Sequence, residues 1–191
     1  MRTLAGHCML FAAIILSPVL AYAQAKEPKK VEPVKTDARL IVVDSAGLFS
    51  PEEIKKAKSA LSQVRSEASR EMHIVTFREL PESRKKTFEE IKDPGPRDAF
   101  YLNWAREEAK GARGVFILIC MNPARIQVLA DKEVRSKGFT VQDDERVRDL
   151  LIERFRETRK IEKEQEKMAL RDRGLLAAVE FVRDAYKKMT R

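Results

Sequence analysis

Reactive side chains are scarce in this sequence of 191 residues, which holds only two cysteines, two histidines and one tryptophan. His7 and Cys8 fall in the apolar N-terminal stretch, so that only His73 and Cys120 remain for the rest of the chain. One histidine and one cysteine do not supply the ligand set of a zinc site. His73 lies among β-branched residues of a predicted strand, which favours a structural role over that of a catalytic base beside a nucleophile.

Phosphate-binding glycine loops and dinucleotide fingerprints are also absent. The formal net charge is +8, but basic and acidic residues are interleaved along the chain. With one tryptophan and three tyrosines for base stacking, no nucleic-acid partner is expected. Cys120 cannot close an internal disulfide alone, and its apolar surroundings predict a buried thiol. A nucleophile or an intermolecular bridge is the alternative for this residue.

A secretory signal is predicted over residues 1–23. Arg2 precedes a nearly continuous apolar run, and Ala21-Tyr22-Ala23 has the small-residue pattern of a cleavage site. The alternative is an uncleaved anchor, although the run is short for a membrane span. The chain is therefore expected to be exported to a periplasmic, lumenal or extracellular compartment. A disordered linker is predicted over residues 24–38, and no transmembrane helix is predicted in the mature chain.

Strand and helix signals alternate beyond the linker. The predicted strands cover residues 39–43, 72–77, 114–121 and 124–129. The predicted helices begin at Ser50, Arg97 and Thr140, and a final one runs to Met189. This alternation predicts an α/β fold, a three-layer α/β/α sandwich. The turn between the last two strands is too short for a parallel crossover, so they should form an antiparallel hairpin within a small mixed sheet.

Residues 43–53 read V-D-S-A-G-L-F-S-P-E-E and carry a dense set of helix-start signals. Ser50 is a natural N-cap, and Glu53 three residues later can complete a reciprocal capping box. Phe49 and Ile54 have the spacing of a hydrophobic staple. The sequence therefore predicts that a helix begins here, directly after a strand that ends in an isolated carboxylate, Asp44.

The same string resembles the opening motif of the TPM-domain family, which includes thylakoid-lumen phosphatase-like and photosystem-repair proteins and bacterial relatives. The likeness continues through four later segments: His73–Thr76, the helix that carries Trp104, the predicted hairpin, and residues 174–179. It implies one TPM-like α/β domain over residues 39–191. One departure concerns the glycine-rich segment that usually follows the hairpin in the family. Here residues 129–133 read L-A-D-K-E.

Carboxylates are the remaining candidates for chemistry. Five of them fall at predicted element ends or in loops, where several oxygen ligands can bind Ca²⁺ or Mg²⁺: Asp44, Asp131, Glu133, Asp143 and Asp144. The resemblance makes Asp44 the candidate catalytic residue. The alternative is that these side chains cap helices and turns or are merely solvated. If the first strand runs parallel to residues 114–121, Asp44 and Asp131 lie at opposite ends of the sheet and do not share a site.

Residues 154–173 are dense in arginine, lysine and glutamate, and a solvent-exposed, charged helical extension is predicted there. The sharper alternative is a docking surface for an acidic partner or an anionic lipid surface. We therefore expect an exported, non-catalytic accessory or protein-interaction module of the cell envelope, which contacts a membrane-associated complex or an anionic surface. The alternative implied by the resemblance is a divalent-metal-assisted phosphatase.

Overall fold

One mixed sheet of four strands forms the centre of the protein. The computed structural model describes residues 35–66 and 70–190. The sheet contains β2 (Arg39–Asp44), β4 (Glu71–Phe77), β5 (Val115–Met121) and β6 (Ala124–Ala130), side by side in that order. The first three strands run parallel, whereas β5 and β6 form an antiparallel hairpin. The predicted mixed sheet with one hairpin is therefore confirmed.

Helices cover both faces of this sheet. One face carries α1 (Pro51–Ser62), α5 (Val141–Glu157) and α6 (Glu164–Lys188). The other carries α2 (Glu82–Glu90) and α3 (Pro94–Glu108), and the short α4 (Lys132–Ser136) follows β6. None of the described helices is long and apolar enough to cross a bilayer. The architecture is the predicted three-layer α/β/α sandwich.

The apolar run of β5 explains why both layers form. Successive side chains of a strand point to opposite faces. Ile117 and Ile119 therefore join the larger core beneath α1, α5 and α6, whereas Leu118 and Cys120 join the smaller core around Trp104. All of these residues are buried. The prediction that Cys120 is a buried thiol is confirmed.

The fold begins earlier than the sequence indicated. Residues 1–23, with the predicted signal, and residues 24–34 of the predicted linker lie outside the described residues. The rest of that linker is ordered, because β1 (Thr36–Asp37) pairs antiparallel with β3 (Arg65–Ser66). Ala38 is buried, and its N–H donates to the Val64 carbonyl. The linker prediction is therefore corrected at its C-terminal end.

The charged segment 154–173 is not one helical extension. Helix α5 ends at Glu157, a single 3-10 turn covers Thr158–Lys160, and α6 begins at Glu164. These two helices pack against each other. Arg171 within the segment is buried and is bound by Glu164. The segment thus forms the ends of two packed helices and the turn between them.

Gly114, directly before β5, lies close to both β4 and α6. Its φ of 96° lies in the left-handed region, and its N–H donates to Asp131 Oδ2 over 2.6 Å. The Tyr186 hydroxyl donates to the Glu71 carbonyl at 2.6 Å and accepts from the Val115 N–H at 3.0 Å. A Cβ on Gly114 would lie 2.0 Å from the Glu71 oxygen and 2.5 Å from Tyr186 Oη.

We expect Gly114→Ala to lower the free energy of unfolding by about 3 kcal/mol or more, because the backbone strain is joined by a steric clash. Gly111→Ala is the matched control, since its φ is 84° but nothing lies within 4 Å of the added Cβ. That change should reduce stability by only about 1 kcal/mol. Urea unfolding of both variants measures the difference, and equal losses would contradict the close packing at Gly114.

Candidate functional site

The carboxyl ends of β2 and β4 are the natural place for a site in this fold. The connection after β2 leads to α1 on one face of the sheet, and the connection after β4 leads to α2 on the other. Open α/β sheets bind ligands outside the carboxyl ends of their strands, where neighbouring connections diverge in this way. Asp44, the last residue of β2, lies at this edge.

The Asp44 carboxylate is bound by three donors of its own protein. Oδ1 accepts from the Leu48 N–H at 3.0 Å and from the Thr76 hydroxyl, and Oδ2 accepts from the Phe49 N–H at 2.9 Å. Thr76 is fully buried, and its hydroxyl oxygen in turn accepts from the Ala46 N–H at 3.1 Å. Asp44 therefore shapes the turn that follows β2 and ties it to β4.

The predicted helix start after this turn is confirmed, whereas the predicted capping box is half right. Ser50 is the N-cap of α1, and its Oγ accepts from the Glu53 N–H at 3.2 Å. The second half of the predicted capping box is wrong, because the Ser50 N–H donates to Asp172 Oδ1 at 2.9 Å. Glu53 binds Lys56 instead. An aspartate of α6 therefore takes the place of the local glutamate and fastens α1 to α6.

Asp131 lies at the opposite end of the sheet from Asp44. Asp44 is level with Thr76 and Ile119, whereas Asp131 is level with Gly114. At about 3.3 Å per residue, these two levels are roughly 17 Å apart along the strands. Asp131 caps α4 through the Val134 N–H, which donates to Oδ1 at 2.7 Å. The parallel direction of β2 and β5 thus separates the two carboxylates.

The other three predicted site residues also bind groups of the protein. Glu133 Oε1 lies 3.0 Å from the Lys137 ammonium. Asp143 completes a capping box with Thr140, as the sequence predicted, and Asp144 is bound by Arg135. Among residues 35–66 and 70–190, no group of three or more His, Cys, Asp and Glu side chains is placed to hold a metal ion. As placed, the carboxylates do not offer the converging oxygens that Ca²⁺ or Mg²⁺ takes, and the metal site stays a prediction.

The acidity of Asp144 is perturbed by its surroundings. Burial raises the pKa of its carboxyl above the ordinary 3.8, and the neighbouring Arg135 opposes this effect without cancelling it. Its Oδ1 is buried and has no hydrogen-bond partner among the described residues. The Arg135 guanidinium also donates to the Phe139 and Thr140 carbonyls, at 3.2 Å and 2.6 Å. The Arg135–Asp144 pair therefore joins α4 to the first turn of α5.

A cleft that sequence reasoning missed opens at the same end of the sheet as Asp44. It lies between the β5–β6 turn and the C-terminal half of α5, and its volume is about 730 Å³. We call it the arginine cleft, after the residues that give it its charge and its apolar wall: Arg125, Arg148, Arg156, Arg159, Ile152 and Phe155. A signal for it exists in the sequence, because Arg148, Ile152, Phe155 and Arg159 recur at the spacing of one helix face.

Comparison with known protein families shows to which family this chain belongs. The TPM domain family matches residues 42–161, more than half of the chain. The chain belongs to the TPM domain family. The matched region of this TPM domain includes Asp44 and the whole arginine cleft. No curated protein and no solved structure gave a match to the chain.

The hydrogen bonds around Asp44 predict a coupled effect on stability in this TPM domain. We expect Asp44→Asn and Thr76→Val each to lower the free energy of unfolding by about 2 kcal/mol, because each leaves buried donors without an acceptor. The double variant should lose about 1 kcal/mol less than the two single losses together, because the two side chains share one hydrogen bond.

Urea unfolding of the four proteins measures this coupling. Asp93→Asn is the control, since Asp93 also precedes a helix but its side chain makes no capping hydrogen bond. That control should change stability by no more than about 0.5 kcal/mol. Strictly additive losses for Asp44 and Thr76 would show that the two side chains do not act together.

The raised pKa of Asp144 predicts a pH dependence with a definite sign. An acid whose pKa is higher in the folded state contributes stability below its unfolded value, and this contribution is lost as the pH rises through the folded value. The Asp144→Asn variant has no carboxyl group to ionise at this position, so it does not lose stability there as the pH rises. The stability of this variant relative to the wild type should therefore increase as the pH rises from about 3.8 towards neutrality.

Asp184→Asn is the control of opposite sign. The hydrogen bond from Arg183 lowers the pKa of Asp184. Its contribution is present above the unfolded value and disappears as the pH falls, so this variant should lose relative stability as the pH rises. Unfolding midpoints across a pH series distinguish the two patterns. A relative stability of Asp144→Asn that does not change with pH would contradict the assignment.

Proposed function

We propose that this TPM domain is a non-catalytic accessory or protein-interaction module of the cell envelope. The main support for this proposal is the set of hydrogen bonds that the Asp44 carboxylate accepts. Its two carboxylate oxygens accept from the Leu48 and Phe49 N–H groups and from the Thr76 hydroxyl. A carboxylate that organises a turn in this way has little capacity left for a metal or a substrate. The family motif then serves to assemble the first connection of the sandwich.

The surroundings of Asp44 point the same way. Asp131 lies about 17 Å away along the strands and is bound by the Gly114 and Val134 N–H groups. Metal-assisted phosphoryl chemistry needs a cation held by several oxygens beside the reacting group. The predicted carboxylates are distributed over both ends of the sheet, and each of them stabilises a turn, a helix start or a salt bridge.

Export and a partner outside the cytoplasm complete the proposal. Residues 1–23 have the pattern of a secretory signal, so the domain is assigned to a periplasmic, lumenal or extracellular compartment. The partner is a membrane-associated protein complex or an anionic surface. Support for an anionic partner comes from the basic character of the chain, whose formal net charge is +8, and from the arginines that line the cleft.

Metal-assisted phosphatase activity is the second candidate. One observation favours it, namely that Asp44 lies at the carboxyl ends of the strands, where α/β sheets bind their ligands. A phosphatase would need Asp44 to exchange its hydrogen bonds with the turn for contacts with a cation.

A phosphatase assay separates the two functions. We expect the full chain to release no p-nitrophenol from p-nitrophenyl phosphate above the buffer rate, with Ca²⁺ or with Mg²⁺, because the Asp44 carboxylate already accepts from Leu48, Phe49 and Thr76. Asp44→Asn and the control Asp93→Asn should give the same background. Circular dichroism must show that both variants are folded. Metal-dependent turnover that is lost in Asp44→Asn and kept in Asp93→Asn would favour the phosphatase.

A further inference from the structure

The arginine cleft has the dimensions of a ligand site. Its volume of about 730 Å³ falls within the roughly 300–1,000 Å³ that is typical of ligand pockets. One wall is the turn of the β5–β6 hairpin, and the other is the C-terminal half of α5. Both walls belong to regular elements packed on the larger core, since Ile126 and Leu151 are buried there. The cleft is therefore a concavity in the surface of the sandwich.

Some charged side chains of the cleft have an ion-pair partner within the protein, and others do not. Four arginines line it together with two carboxylates, Asp149 and Glu153, so that its formal charge is +2. Arg125 is held in place, because its Nη2 lies 2.9 Å from Asp98 Oδ1 and its guanidinium lies over the Tyr101 ring. Arg156 and Arg159 are exposed, and neither forms an ion pair with any residue in the described part of the chain.

The cleft also has an apolar wall. Ile152 and Phe155 are partly buried and contact the larger core, while their remaining surface lines the cleft beside Met121. Phe155 also packs near Phe49 of the family motif, with ring centroids 6.3 Å apart. A ligand that fills this space must therefore meet unpaired guanidinium groups and an apolar surface at the same time.

We propose that the arginine cleft binds an acidic peptide segment of a protein partner, in which carboxylates flank an apolar side chain. Guanidinium groups bind carboxylates through two parallel hydrogen bonds. Arg156 and Arg159 take the acidic side chains, and the wall formed by Ile152 and Phe155 takes the apolar one. This inference rests on the proposed role as an interaction module and names the site and the chemistry of its partner.

The shape and the acidic members of the cleft favour a peptide over other anions. A bilayer surface is broad and flat, whereas these arginines line a concavity. A phosphate group carries nearly two negative charges near neutral pH and would share the cleft with the carboxylates of Asp149 and Glu153. The same two carboxylates can accept hydrogen bonds from the backbone N–H groups of a peptide. A singly charged carboxylate on a peptide therefore suits this lining better.

Selection from a displayed library of random short peptides on the immobilised full chain tests the proposal. We expect the enriched peptides to combine aspartate or glutamate with leucine, isoleucine or phenylalanine. The affinity of a synthetic peptide made from the enriched sequence should fall about tenfold or more for the double variant R156A/R159A. It should also weaken as salt is added, because the contacts are between exposed charges.

Two further variants separate the cleft from general charge effects. R146A/R173A removes the same charge from two exposed arginines outside the cleft, and it should keep the affinity within about twofold. Ala124→Trp leaves the charge unchanged but fills the cleft from an exposed position on β6. That variant should lose binding as severely as R156A/R159A, provided that both unfold at the wild-type urea concentration.

Several results would overturn the cleft assignment. These are the enrichment of no peptide, enrichment without acidic residues, and equal losses in R156A/R159A and R146A/R173A. Binding of inorganic phosphate or of phosphatidylglycerol vesicles that depends on Arg156 and Arg159, without any peptide binding, would overturn it as well. The phosphatase assay remains an independent measure of the wider proposal. A chain that binds no peptide and shows no turnover loses only the cleft assignment, whereas metal-dependent turnover contradicts the non-catalytic role itself.

Discussion

The hydrogen bond from Thr76 to Asp44 is the constraint on which the first half of the fold depends. It joins the turn after an edge strand to a buried position on β4, and the same carboxylate fixes the Leu48 and Phe49 N–H groups. The direction in which α1 leaves the sheet follows from this turn. Helix α6 then holds α1 in place, because Asp172 accepts a hydrogen bond from the Ser50 N–H at the start of α1. The Asp44 carboxylate therefore stabilises the turn through several hydrogen bonds that act together.

Strand direction divides the polar residues between the two ends of the sheet. The amino ends of β4 and β5 are closed by internal hydrogen bonds, in which Tyr186 and Asp131 satisfy backbone groups around Gly114. The carboxyl ends are more open, and they carry both the Asp44 turn and the arginine cleft. Since the carboxyl ends of the parallel strands β2, β4 and β5 lie at one edge of the sheet, the cleft lies near the family motif. The arginine cleft and the internal hydrogen bonds around Gly114 thus lie at opposite ends of the sheet.

Features that depend on a few neighbouring residues could be predicted from the sequence, whereas contacts between residues far apart in the chain could not. The apolar run of β5, the short hairpin turn and the Thr140–Asp143 capping box are local, and the structure contains each of them. The partner of the Ser50 N–H is Asp172, which no local pattern connects to it. Helix α2 was missed because Phe88 is its only apolar side chain, and it is placed by the rings of Phe100 and Tyr101 on α3. Three of the five carboxylates were undecided for the same reason, since Asp44, Asp131 and Asp144 each accept from a donor on another element, namely Thr76, Gly114 and Arg135.

The charged segment 154–173 also shows that the sequence alone did not reveal which side chains are buried. Arginines that look alike in the sequence have opposite environments in the fold. Arg171 is buried, donates to the Lys167 carbonyl and is bound by Glu164, so it stabilises the start of α6. Arg156 and Arg159 face the cleft and are exposed. The difference arises from helix phase, because the face on which a residue lies decides whether it meets the protein or the solvent. Substitutions of exposed residues outside such internal contacts usually change stability by no more than about 0.5 kcal/mol, so the exposed arginines of the cleft can vary while the sandwich stays intact.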